Sequence, residues 1–432
     1  MKNIISFIGF CVLVFSSGCN KNDDSVPPEV ELQNEPPLSF NLIDMADKAT
    51  NVDILPTLNW ESAKNAKGGD VTYDLYLGKE TNPTTLFKTD IPGTSYEIME
   101  RLNLSTDYYW KVVATDTDGR SSQSPVHKFT IRDIRISDEP LAIAPYGGRA
   151  NHTSLSFEDK LWVFGGSYFG DGYDDVWQST DGINWSEAGE NALIRPKYGH
   201  TSEVYDNKMW MLGGRAENED LNIIYSHDVW SSTDGAAWAN HTSYTDFFPA
   251  RTGHSSVIHK GKIYIIGGYD GTNAQSDIWQ YDGNWSEVEM NGLTFSPRLS
   301  HGSVVFDDKI WVIGGFDYAQ NIKNKNDVWF SEDGNNWTQA LAQAPFSPRR
   351  GHSTVVYDDK LWVIGGIDDS GYSNEIWYTT DGVDWKTVDV TDSLPPRSGH
   401  SALVHDNKLW IIGGVQAGED LEWYANDVWV FE

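Results

Sequence analysis

The chain has 432 residues, with 63 acidic side chains against 32 basic ones, a net charge of −31, and 39 Gly and 19 Trp but only 2 Cys. A surface this acidic cannot neutralise phosphates, which excludes nucleic acid as a partner. Both cysteines fall within the first 19 residues, so the rest has no disulfide framework, while a hydrophobic fraction of 39% supplies ordinary cores for two or three domains.

Residues 1–18 begin with Met1-Lys2 and the apolar run Ile4–Phe15, a charged start and a hydrophobic segment too short to span a bilayer. The run ends in Ser16-Ser17-Gly18-Cys19, which resembles a bacterial lipoprotein cleavage box and implies lipidation of Cys19. Ser16 departs from the usual Leu of that box, and a plain secretory signal is the competing reading. The next residues, Asn20-Lys21-Asn22-Asp23-Asp24, resemble the acidic export tag of Bacteroidetes-type surface lipoproteins, although a solvated linker would look alike. The resemblance implies an outer-membrane protein held by a lipid anchor and facing the outside of the cell.

Residues 19–38, rich in Pro and acids without periodicity, are expected to be a flexible tether. Residues 39–133 hold short alternating runs between turn clusters, the pattern of a small β-sandwich. The run Leu104-Ser105-Thr106-Asp107-Tyr108-Tyr109-Trp110-Lys111-Val112 resembles the tyrosine corner of fibronectin type III domains, with Trp110 and Val112 pointing inward. Such a module is expected to act as a spacer.

Residues 134–432 repeat. His152, His200, His254, His301, His352 and His400 are each followed 13 positions later by a Gly-Gly pair, from Gly165-Gly166 to Gly413-Gly414. Two alternating apolar runs joined by a tight turn lie between them. A third run follows, opening on Asp175, Asp228, Asp277, Asp327, Glu375 or Asp427, and in five repeats a fourth run opens on Trp185, Trp238, Trp285, Trp337 or Trp385. Four strands in about 50 residues with paired glycines resemble the kelch motif, one blade of a β-propeller. The fold class expected is therefore all-β, a six-bladed kelch propeller behind a fibronectin type III-like sandwich. Repeat six ends after its third strand at Phe431-Glu432, so the segment Ile134–Ala144 is expected to supply the missing strand, with Ile136 in the place of the Trp.

Three positions before each repeat His stands a cation: Arg149, Lys197, Arg251, Arg298, Arg349 and Arg397. Strand direction puts them on the face that also carries the third-strand carboxylates. Two readings stay open: a ring that grips an acidic ligand, as arginines of this register do in some kelch proteins, or six pairs that serve the blades. The six His are too far apart around a ring to share a metal ion and are expected to be structural. No metal site is expected; Ca²⁺ on the Asp- and Asn-rich insertions has no loop spacing behind it.

The spacing from the second Gly to the third-strand Trp runs 11, 16, 11, 14, 11 and 15, which places insertions in repeats two, four and six. With Tyr168, Tyr173, Tyr225, Tyr318, Tyr372, Trp423 and Tyr424, these loops bring aromatics to the cation face. Rings beside charged and amide groups suit sugars, although they also pack loops. Galactose oxidase chemistry, known among kelch propellers, is excluded because the repeats hold no Cys to form its thioether. No local motif selects a catalytic pair. The function expected is capture of a glycan, an anionic one such as a uronic-acid or sulfated polysaccharide, beside an outer-membrane transporter complex. A sugar epimerase or lyase acting on an acidic sugar and a protein docking module are the alternatives.

Overall fold

The computed structural model describes residues 35–432 except 66–67, 190–196, 218–221, 243–244, 246, 319–322, 389–393 and 418–421. The proposed signal peptide, Cys19 and most of the tether lie outside the described residues. No helix among them is long and apolar enough to cross a membrane. Contacts divide the chain into two compact units, one of residues up to Glu100 with Asp107–Thr130, the other of Arg101–Thr106 with Ile131–Glu432.

The first unit is a mixed sheet in the order Ala49–Val52, His127–Ile131, Asp107–Asp116, Val71–Gly78, Leu86–Ile91, with a separate pair Thr57–Asn59 and Ser95–Glu97. Strict alternation sets its core: along Asp107–Asp116 every second residue is buried, Trp110, Val112 and Ala114 completely. Tyr108 lies on the same buried face and stacks on Phe129 at 5.9 Å.

The second unit contains six antiparallel sheets of the same plan. The first runs Thr153–Phe157, Lys160–Phe164, Val176–Ser179, Ser186–Glu187 in spatial order, and the next four repeat it. In the sixth, the outermost place beside Glu422–Phe431 is taken by Ala142–Ile143, pairing Ile143 with Asp427 and Ala142 with Val428, and Ile136 bridges Phe431. The innermost strands touch one another in a closed cycle, as the inner strands of a β-propeller do. Second strands such as Leu161–Phe164 and Leu409–Ile412 are buried on both faces, because neighbouring sheets pack against each of them.

Local chemistry explains the repeated turns. In Ser179-Thr180-Asp181-Gly182 the Asp181 carboxylate accepts the backbone N–H groups of Ile183 and Asn184, and Ser179 Oγ accepts from Gly182, an Asx-type turn. These bonds, led by that from Asn184, hold the Asp181 carboxyl down at about 2. The Trp three residues on then returns its indole N–H to the Gly carbonyl, at 2.9 Å for Trp185, Trp238 and Trp337.

The glycine pairs serve two different contacts. A Cβ on the first Gly would press on the following repeat: at Gly165 it would lie 2.5 Å from the Lys197 carbonyl and 3.2 Å from His200. A Cβ on the second would strike the His of its own repeat, at 2.7 Å for Gly166 and His152, and the φ values of +96 to +103 at these second positions disfavour any L side chain. Crowding between blades thus accounts for the first glycine, and contact within the repeat for the second.

A second ring forms around the axis from the residue before each His. Gly199 donates its N–H to Asn151 O (2.9 Å), Gly253 to Gly199 (2.9 Å), Ser300 to Gly253 (2.7 Å), Gly351 to Ser300 (2.9 Å), Gly399 to Gly351 (2.8 Å) and Asn151 to Gly399 (2.8 Å). Six peptide groups from six repeats close a cyclic hydrogen-bond belt, each in left-handed backbone with φ between +52 and +63. That conformation is why Gly, Asn and Ser fill the position.

Candidate functional site

The six cations do not face a ligand. Arg149, Arg251, Arg298, Arg349 and Arg397 are completely buried and Lys197 is 2% exposed. Arg149 forks onto Asp175 at 2.6 and 2.7 Å, Arg251 onto Asp277 at 2.8 and 2.7 Å, Arg298 onto Asp327 at 2.8 and 2.9 Å, and Arg397 onto Asp427 at 2.8 and 2.7 Å. Lys197 meets Asp228 at 2.7 Å, and Arg349 meets Glu375. Each Arg also donates to the carbonyl of the first Gly of its pair, 2.8 Å for Arg149 and Gly165, and through Nε to the carbonyl two residues back. The guanidinium donors are thus committed within the repeat, and the ligand-gripping ring is corrected to six structural pairs.

The histidines are internal as well. Burial first, and the cation of the same repeat second, push His152, His254 and His352 down to about 3, as they do His200 beside Lys197; His301 and His400 also lie well below the usual value. Four of these neutral rings bond a Ser or Thr hydroxyl of the adjacent repeat: His152 to Ser401 (3.0 Å), His200 to Thr153 (3.0 Å), His254 to Thr201 (3.2 Å) and His301 to Ser255 (2.7 Å).

What varies at this end of the ring is the residue after each cation and the residue after each glycine pair. They bridge within each repeat: Ala150 with Ser167, Tyr198 with Arg215, Thr252 with Tyr269, Leu299 with Phe316, Arg350 with Ile367, while Ser398 pairs with Val415. Side chains from repeats two to four at these positions enclose a cavity of about 430 Å³ at the mouth, beside the glycine belt. Tyr198, Tyr225, Tyr269, Tyr318 and Arg215 line it, with Thr252, Ser300 and Asn151 adding hydroxyls and an amide. The Arg215 guanidinium lies 4.3 Å from the Tyr198 ring centre, and the rings of Tyr225, Tyr269 and Tyr318 form a chain with spacings of 5.8 and 5.4 Å.

Of the aromatics expected from sequence, Tyr225 and Tyr318 line this cavity. Tyr168 and Tyr424 form a triad with Phe169, centroids 4.8 to 5.2 Å apart, in which Tyr168 and Phe169 are exposed. Trp423, on the same strand as Tyr424, is 64% exposed. Tyr173 is otherwise engaged: its ring covers Arg149 at 4.3 Å, so it belongs to a structural pair and not to a ligand platform. Tyr372 donates its hydroxyl to Glu422 at 2.5 Å, which ties neighbouring loops together. Parts of the insertions, including Glu219, Asp220 and Asp420, lie outside the described residues. Tyr198, Tyr269 and Arg215 were missed by sequence reading, which weighted loop length; the signal was variation at two otherwise regular repeat positions.

An all-β ring of four-stranded sheets with a recessed aromatic and cationic mouth defines a β-propeller. The sequence matches the KLHDC2/KLHL20/DRC7 Kelch-repeats domain over residues 112–315 and 283–432, and the chain belongs to that kelch-repeat family. It is similar to Tip elongation aberrant protein 3 of Schizosaccharomyces pombe, 27% identical over 33% of this chain and 11% of that protein. It also resembles human Leucine-zipper-like transcriptional regulator 1, 39% identical over 27% of this chain and 15% of that protein. The Drosophila melanogaster homolog of the latter is 24% identical over 51% of this chain and 24% of its own length. The chain thus spans a quarter or less of each of these curated relatives.

Proposed function

We propose that this chain is a surface lipoprotein whose propeller binds an acidic glycan in the mouth cavity between repeats two and four. The observation that carries the reading is the lining itself: four tyrosines, the Arg215 guanidinium and three short polar side chains in one recess of about 430 Å³. Tyrosine rings stack on the apolar faces of sugars while their hydroxyls bond outward, and a guanidinium matches a carboxylate or sulfate. Arg215 takes the place that the six repeat cations held in the sequence expectation. Exposed Tyr168, Phe169 and Trp423 extend the aromatic surface along the loops for a longer chain.

The remaining parts of the reading come from sequence. Cys19 is the lipid attachment site, the first unit is a fibronectin type III-like spacer, and a neighbouring transporter receives the captured glycan. A sugar epimerase or lyase would need a positioned acid/base pair beside the bound sugar, for which the tyrosine hydroxyls of the described lining are the candidates, and product formation separates that reading from binding.

The test is calorimetric titration of the purified chain with galacturonate and sulfated oligosaccharides, and with a neutral oligosaccharide of equal length as control. Binding to an acidic glycan that falls at least ~10-fold in Arg215→Ala is expected, equal to about 1.4 kcal/mol. Equal affinity for the neutral control, or an unchanged constant in Arg215→Ala, overturns the site. Release of an altered sugar during the titration would favour the enzyme reading.

A further inference from the structure

The mouth cavity is the top of three spaces on one axis. Below it, Asn151, Gly199, Gly253 and Ser300 also line a neck of about 130 Å³ whose floor is the ring of six histidines. Five of those histidines in turn line a deeper chamber of about 260 Å³. The chamber wall is made of hydroxyls, among them Ser154, Ser202, Ser256, Ser303 and Thr354, and of one acid, Glu203.

Glu203 breaks the symmetry. The corresponding residues of the other repeats, three after the His, are Leu155, Val257, Val304, Val355 and Leu403. Its carboxylate accepts Ser256 Oγ at 2.7 Å, and no Lys or Arg is among the described residues of the chamber wall. Elsewhere on the same chamber wall, Ser154 Oγ, Ser202 Oγ, His352 Nε2 and His400 Nε2 are buried without a protein partner among the described residues. For His352 the cause is visible: the position that gives Thr153, Thr201 and Ser255 to the other rings is Gly302. Buried polar atoms are satisfied in nearly every folded protein, so four orphans on the wall of a chamber that holds one acid call for an occupant with its own polar contacts.

Size limits that occupant. Six hydrogen-bonded peptide groups about 4.8 Å apart give a circle of radius about 4.8 Å, which leaves a clear aperture of about 3 Å radius after the backbone atoms are allowed for. Water and a partly dehydrated ion pass; a pyranose ring with its hydroxyls does not. Oxygen ligands with a single negative charge suit a hard cation of low charge, whereas Ca²⁺ sites gather several carboxylates.

We propose that the chamber binds one alkali-metal cation, with Glu203 as its only charged ligand and the Ser and Thr hydroxyls and their waters completing the shell. The proposal does not depend on the glycan reading. The other titratable groups on the chamber wall are His152, His254, His301, His352 and His400, all held well below their usual value by burial, so a proton on Glu203 itself is the ion's competitor.

The experiment compares thermal midpoints of the full chain in KCl or NaCl with those in choline chloride at equal ionic strength, at pH 8 and pH 6. An ion-specific rise on the order of 2 °C or more at pH 8 is expected, smaller at pH 6 and absent in Glu203→Gln. A second measurement needs no variant: ²³Na line broadening by the protein should saturate as one site at pH 8 and weaken at pH 6, where surface carboxylates stay ionised. Midpoints that follow ionic strength alone, an ion-specific rise retained in Glu203→Gln, or sodium broadening that is unsaturable and equal at both pH values, overturns the proposal.

Discussion

The backbone N–H of Asn151 donates to the carbonyl of Gly399 at 2.8 Å, and this bond joins the first repeat to the sixth at the axis. At the rim, Ile143 pairs with Asp427, so the same two ends of the ring are fastened twice. The strand Glu422–Phe431 is thereby paired on both sides, so it is not left as an open edge, the usual liability of an antiparallel fold.

The glycine pairs should be intolerant. At Gly366 the backbone φ is +101, and an added Cβ would meet the Arg350 carbonyl at 2.9 Å and His352 Cβ at 3.0 Å. Gly366→Ala should destabilise the chain by about 2–3 kcal/mol, from strained backbone plus contact. Urea unfolding monitored by Trp fluorescence checks this; a loss below about 0.5 kcal/mol, the range of surface changes, would contradict the crowding argument.

Two arginines should behave in opposite ways. Arg251 is buried and donates to the part-exposed Asp277 and to the Pro249 and Gly267 carbonyls, so Arg251→Ala removes the donor from all three and should cost about 3 kcal/mol of stability. Arg215 lies at the cavity wall on Tyr198, and Arg215→Ala should change stability by about 0.5 kcal/mol or less while removing acidic-ligand affinity. Denaturation and binding measured on both variants separate the roles; a stable Arg251→Ala protein that fails to bind would return the repeat cations to the ligand.

Stability should rise steeply with pH and level off above about pH 7. Burial holds all six histidines well below their unfolded value of about 6.5, at about 3 for His152, His200, His254 and His352, so the unfolded state binds more protons in the acid range. Stability therefore rises with pH up to about 6.5, by as much as about 1.4 kcal/mol per pH unit for each ring. Glu203 acts with the opposite sign: burial raises its carboxyl to about 7, the folded state binds more protons above the ordinary value of 4.5, and stability is lost as pH rises toward 7. Chemical denaturation from pH 4 to 8 in choline chloride should show a steep rise that levels off above about pH 7, and Glu203→Gln should steepen the rise between about pH 5 and 7.

Repeat length, strand count and the place of the glycine pairs were legible in the sequence because each blade solves the same packing problem with the same residues. His152 and Gly165-Gly166 recur six times in register, and a period of that kind needs no long-range information. The pairing of Arg149 with Asp175 was one of two readings, since spacing puts both at one face without saying whether they meet each other or a ligand. Burial decided it. Loop insertions drew attention to Tyr225, Tyr318 and Trp423, while Tyr198, Tyr269 and Arg215 were passed over because each sits next to an invariant position and looks like its neighbour's filler.

The sequence by itself determined that this is an acidic, Cys-poor chain of six equivalent four-strand repeats behind a β-rich segment, because local periodicity and turn chemistry carry that information. Only the tertiary structure decided which charges are spent and which are offered. Arg149 and its five equivalents vanish into the blades, and Arg215 and Glu203, single departures from the repeat, end up facing the mouth and the chamber. The physical reason is that exposure around a closed ring is set by contacts between repeats about 50 residues apart, such as Gly199 with Asn151, and no pattern within one repeat encodes it.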